Sequence, residues 1–131
     1  MNVFLEELGF VFLIDLVLWG LILIIPPIVI RVNRIKYFSV SPWGMAFLNI
    51  IIVVRDRESE PLLRHEIRHV QQQQLYSPIG MALVILFHYT WLFLKHHSIR
   101  SVYLNSFLER QANEAMQKTS ALPKILYVNR K

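Results

Sequence analysis

Leu62-Leu63-Arg64-His65-Glu66-Ile67-Arg68-His69-Val70 carries an H-E-x-x-H run at His65–His69. Leu62, Leu63, Ile67 and Val70 recur at helical spacing, so the stretch predicts a helix with one apolar side. Two histidines four residues apart stand one above the other on a helix, and their imidazoles can converge on one metal ion. Glu66 is close enough to the pair to hold a metal-bound water. Zinc chemistry requires this set: two neutral nitrogen ligands, a carboxylate base and an open position for water. The competing reading is a solvated helix face with two ordinary histidines.

Ser59 is a fitting N-cap for this helix and Pro61 is tolerated in its first turn. The helix is expected to run to about Leu75 through Gln71-Gln72-Gln73-Gln74. Gln72 and Gln73 fall on or near the metal face, where an amide can orient a ligand. Three of the four glutamines are expected at the solvated surface. The polar flank Arg55–Pro61 argues against a site embedded in lipid.

Upstream, Ile35–Val40 and Met45–Val54 read as two strands, with Ser41-Pro42-Trp43-Gly44 as the turn between them. A hairpin leading into the motif helix follows. Before it, Leu8–Ile30 is apolar apart from Asp15 and is long enough to cross a bilayer. Pro26-Pro27 would break or kink it near its end. A carboxylate in mid-span is costly, so Asp15 should face protein or a polar cavity. Arg31, Arg34 and Lys36 follow the span, whereas Glu6 and Glu7 precede it. The positive-inside rule then puts the N-terminus outside and the remainder in the cytoplasm.

Downstream, Ser77-Pro78 opens another apolar helix, Ile79 to about Lys95, at the short edge of membrane-spanning length. His88 in its middle is a possible ligand but more commonly a core residue. His96-His97 diverge by about 100° on a helix and read with Lys95 and Arg100 as an interfacial basic cluster. A last helix is expected from an N-cap at Asn105 to about Lys118. It carries Glu109, the best third ligand, with Glu114 and Asn105 as weaker ones. Ala121–Lys131 reads as a basic extended tail.

Composition agrees with a membrane-associated chain. Of 131 residues, 54% are hydrophobic and 18% charged, and the net charge of +5 comes mostly from Arg and Lys flanking the apolar stretches. That suits phospholipid headgroups, and no nucleic-acid-binding pattern is visible. With no cysteine, a metal site must use His, Asp or Glu. The expected class is α+β: a short hairpin and about three helices over residues 31–120, a membrane anchor over 1–30, and a tail over 121–131.

Leu63-Arg64-His65-Glu66-Ile67-Arg68-His69-Val70-Gln71-Gln72 resembles the L-x-H-E-x-x-H-x-x-Q helix of small bacterial zincin-like, gluzincin-type metallopeptidase domains. These often place a third, glutamate ligand on a later helix within N-P-F-E-x-E-A. Asn105–Ala112 matches that setting in its glutamate-to-alanine spacing, but its asparagine stands one residue further from the glutamate, the proline is missing, and Leu108 replaces the phenylalanine. The resemblance covers roughly Phe47 to Glu114. It implies zinc held by His65, His69 and Glu109, with Glu66 as general base in peptide hydrolysis. Arg68, Tyr103 and His88 are then candidate oxyanion donors. A bacterial inner-membrane protein with a cytoplasm-facing site and a peptide or protein substrate is implied. The alternative is a non-catalytic zinc-binding or degenerate zincin membrane protein that acts as an adaptor, or a two-span adaptor in which the motif is coincidence. A shared site further requires that residues 79–95 not cross the bilayer, or that the chain return.

Overall fold

The computed structural model of the chain describes residues 2–36 and 42–128. The first helix, α1, runs Val3–Ile24. Asn2 caps it by accepting from the Phe4 N–H at 3.4 Å. Pro26 holds Ile25 in extended backbone and ends it. The apolar stretch expected to continue to Ile30 therefore changes state, and Ile28–Val32 forms strand β1. Ile22 is the buried side chain of α1, while Phe10 on its outer surface is 64% exposed.

The segment Met45–Val54, read as one strand, is itself a hairpin of β2 (Gly44–Phe47) and β3 (Ile50–Val54). Leu48 turns the chain with φ 54°, a left-handed conformation that costs a branched residue about 1 kcal/mol. Two buried amides hold it there. The Gln73 Oε1 accepts from the Leu48 N–H at 2.7 Å, and the Asn49 Nδ2 donates to the Ile25 carbonyl at 2.7 Å. The strand expected over Ile35–Val40 is not formed at Ile35 or Lys36, and residues 37–40, with Ser41 of the expected turn, lie outside the described residues. The tail is also more than an extended end, because Leu126–Val128 forms β4. Strand order is β2-β3-β1-β4, with β1 parallel to β3 and β4, and β2 antiparallel to β3.

Helix α2 spans Glu60–Tyr76, capped by Ser59, whose Oγ accepts from the Leu62 N–H at 3.3 Å. Its Leu63, Ile67 and Val70 pack on Val29, Ile51 and Val53 of the sheet to form the core. Full burial of each such side chain contributes about 1.5–3 kcal/mol. Helix α3 follows over Pro78–His96, α4 over Ile99–Asn105 and α5 over Phe107–Met116. The single last helix expected from Asn105 is thus two. Extended backbone at Ser106 separates them, and Asn105 closes α4 by donating to the Ser101 carbonyl at 2.8 Å. The described residues form a mixed α+β fold of five helices and a four-stranded sheet.

α1 and α3 are each long and apolar enough to cross a membrane. They meet at Asp15. Its carboxylate accepts from the Ser77 hydroxyl and from the Ile79 N–H, both at 2.8 Å, so a charge in the middle of α1 caps the start of α3. The Trp19 Nε1 donates to the Gln74 carbonyl at 2.7 Å and ties α1 to the end of α2.

Candidate metal centre

α2 carries His65, Glu66 and His69 on its buried side, and α5 packs along α2 and brings Glu109 to them. The two Nε2 atoms lie 3.2 Å apart. The Glu109 carboxylate spans both histidines, with one oxygen 3.4 Å from the His65 Nε2 and the other 3.3 Å from the His69 Nε2. Ligands on a tetrahedral ion with bonds of about 2.0–2.1 Å are separated by about 3.3–3.4 Å. His65, His69 and Glu109 could therefore hold a metal ion with little rearrangement. The Oε2 of Glu109 and the Oε2 of Glu66 are buried without a hydrogen-bond partner, as expected of groups that serve a ligand.

The proton on His69 can be placed by following obligate donors and acceptors. Arg68 can only donate, so the atom of Gln111 that it meets at 3.3 Å is Oε1. The Leu108 carbonyl can only accept. Gln72 faces both, at 3.1 and 3.0 Å, and must present its NH₂ to them. Its Oε1 is left facing the His69 Nδ1 at 2.9 Å, and that nitrogen carries the proton. In neutral His69 the Nε2 is then a bare lone pair aimed at His65 and Glu109, the form a metal ligand needs.

Burial raises the Glu66 pKa above the ordinary carboxylate range; His69 and His65 oppose the shift and Glu109 adds to it. Burial would also raise Glu109, but the facing imidazoles of His65 and His69, when protonated, and the nearby Tyr103 hydroxyl outweigh it and bring Glu109 to about 2. His69 is depressed by burial, yet Glu109 and Gln72 carry it above its ordinary value. Tyr103 is raised by its own burial and by Glu109.

The structure brings together the four residues singled out first, His65, Glu66, His69 and Glu109. It separates the weaker candidates from them. Glu114 is exposed, and Asn105 lies in the exposed last turn of α4. The His88 Nε2 faces the Phe107 N–H at 3.4 Å and supports the start of α5. Arg68 is engaged by Gln111, whereas Tyr103 lies beside Glu109. His97 ends α3 in a left-handed cap, and α4 packs back along α3. The chain returns, so Glu109 can reach α2 although α3 intervenes. Of the four glutamines only Gln71 is exposed; Gln72 and Gln73 are buried and Gln74 half-buried, because all three hold neighbouring segments.

Gly44 was not anticipated. A Cβ there would lie 2.8 Å from the Glu66 Oε1, so the strand and the carboxylate pack at a distance only glycine permits. A glycine opening a strand just before the motif was the available signal. Compared with known family models, curated proteins and solved structures, the chain matches none.

Proposed function

We propose that this chain is a membrane-anchored, zinc-dependent peptidase of zincin type, with α1 as its anchor and its site on the cytoplasmic side. The observation that carries the reading is the triangle of buried His65, half-buried His69 and buried Glu109 with the Glu66 carboxylate beside it. Zinc suits a His/His/Glu set, and when bound it would supply a Lewis acid and a water acidified to near neutral pH. Glu66, with its pKa raised by burial, takes the proton from the attacking water and passes it to the departing amine. Gln72 holds His69 in its ligating tautomer. The Tyr103 hydroxyl, beside Glu109, is the candidate we favour as donor to the carbonyl oxygen as negative charge develops on it. Among the described residues no strand pairs with the outer edge of β2, and that edge offers backbone pairing to an extended peptide.

The inward-facing topology rests on Arg31, Arg34 and Lys36 following α1 and on Glu6 and Glu7 within it. The test is zinc content and peptide hydrolysis of detergent-purified protein beside its His69→Ala and Glu66→Gln variants. One zinc per wild-type chain, lost in His69→Ala and kept without hydrolysis in Glu66→Gln, is the expected result. No bound metal under zinc-replete conditions overturns the reading. Zinc without hydrolysis in the wild type identifies a non-catalytic adaptor instead.

A further inference from the structure

Strand β2 joins two places that the peptidase reading treats separately. At one end, Gly44 rests on Glu66. At the other, the Leu48 N–H is held by Gln73 of α2. β2 thus runs alongside α2 from the proposed general base towards the end of that helix. There it meets an apolar groove of about 460 Å³ between α1 and α3. Val11 and Ile14 of α1, Ala82 and Ile85 of α3, and Phe47 at the end of β2 line it. Its walls are the two helices long and apolar enough to cross a membrane.

The outer edge of β2, unpaired among the described residues, faces away from β3. Val54 donates to the Trp43 carbonyl, and Met45 and Phe47 lie opposite Ile52 and Ile50. By antiparallel alternation, the N–H and C=O groups of Gly44 and Ala46 point off the sheet. The polar side chains that line the groove are already engaged, Asp15 with Ser77 and Ile79, and Gln73 with Leu48. The groove offers apolar surface and no unengaged charge.

We infer that the substrate is a polypeptide with a membrane-embedded apolar segment, which seats in the groove between α1 and α3 while the adjoining extended stretch lies on β2 and is cut beside Glu66. The inference rests on the peptidase reading and adds its substrate class. Gly44 to Phe47 covers about 10 Å at about 3.3 Å per residue. The cut therefore falls about three to five residues from the apolar segment.

The test uses the full-length, zinc-loaded protein in phosphatidylcholine–phosphatidylglycerol vesicles. One probe is a synthetic peptide with a Leu/Ala segment of about 20 residues, enough to span, followed by a polar stretch. The other is the polar stretch alone. The anchored probe should be cut near its apolar segment, about tenfold faster or more than the free one. Ala82→Trp should fill the groove and remove that advantage, with zinc content and cleavage of the free peptide unchanged. Equal rates on both probes, with Ala82→Trp without effect, would overturn the inference and leave the peptidase reading standing. If neither probe is cut, a photoreactive residue at position 47 in the Glu66→Gln protein decides it. Crosslinking to the apolar segment, abolished by Ala82→Trp, supports docking independently of hydrolysis, and its absence refutes docking.

Discussion

Gly44 and Glu66 touch, and the contact leaves no room for a methyl group: a Cβ at position 44 would lie 2.8 Å from Oε1 and 3.2 Å from the Cδ of Glu66. The carboxylate is the far end of a flexible side chain, so it is the part that would move. Gly44→Ala should therefore displace the base and spare the ligands. Hydrolysis is expected to fall by about tenfold to a hundredfold, the cost of a misplaced catalytic group, with zinc stoichiometry unchanged. Metal analysis beside a kcat measurement checks it. Loss of zinc in this variant would show that Gly44 supports the whole centre and not Glu66 alone.

Gln72 makes a different prediction, because it acts on affinity. Gln72→Leu removes the acceptor that fixes the His69 tautomer and should weaken zinc binding by about tenfold to a hundredfold. Gln72→Glu keeps an acceptor at Nδ1 and should bind zinc more tightly than the leucine variant, although it loses the donor to Leu108. Competition with a fluorescent chelator separates the two. Equal affinities in both variants would mean that the amide merely packs α5 on α2.

Stability of the metal-free protein should fall on both sides of a window in mildly acidic solution. Glu109 lies at about 2 in the folded chain against an ordinary 4.5, so its contribution is present above 4.5 and is lost as pH falls towards 2. His69 is raised above 6.5; its contribution is full below 6.5 and is lost as pH rises through the folded value. Glu66, raised by burial from 4.5, acts in the same sense as His69, its loss beginning as pH rises above 4.5. Thermal unfolding in chelator across this range should show both limbs. Glu109→Gln should flatten the acid limb, and zinc should abolish the alkaline one, since a metal binds the deprotonated histidines.

Asp15 gives a prediction far from the candidate metal centre. Asp15→Ala strips two hydrogen bonds from the start of α3 and should destabilise the protein by about 1–2 kcal/mol, the usual cost of losing a helix cap. Asp15→Asn, which still accepts, should lie between. Unfolding in detergent reads both, and an unchanged Tm for Asp15→Ala would contradict the capping role.

The site was more legible in the sequence than the sheet that supports it. His65, Glu66 and His69 are fixed by helical periodicity, a local rule, and Glu109 followed from chemistry as a ligand type on the next polar helix. Strand pairing is non-local. Pro26-Pro27 marks where the helix breaks, but only pairing with Ile50–Val54 and Leu126–Val128 makes Ile28-Val29-Ile30 a central strand. Leu48 in a left-handed turn runs against its own propensity and is held by Gln73, 25 positions away. Ser106 likewise breaks a helix that local pattern would continue. The glutamines misled for a related reason: a run of four polar residues looks solvated unless the segments they hold are known.

The Asp15 clamp bears on how the protein is made. The partners of Asp15 lie 62 and 64 positions further along the chain. At about 5–20 residues per second, ribosomal synthesis takes about 3–13 s to cover that interval. Throughout it, α1 exists with an unpaired carboxylate in its middle. Insertion of α1 into a bilayer would have to wait for α3 or tolerate the charge in the meantime. A generic apolar leader substituted for α1 would insert sooner and leave Ser77 and Ile79 without their acceptor.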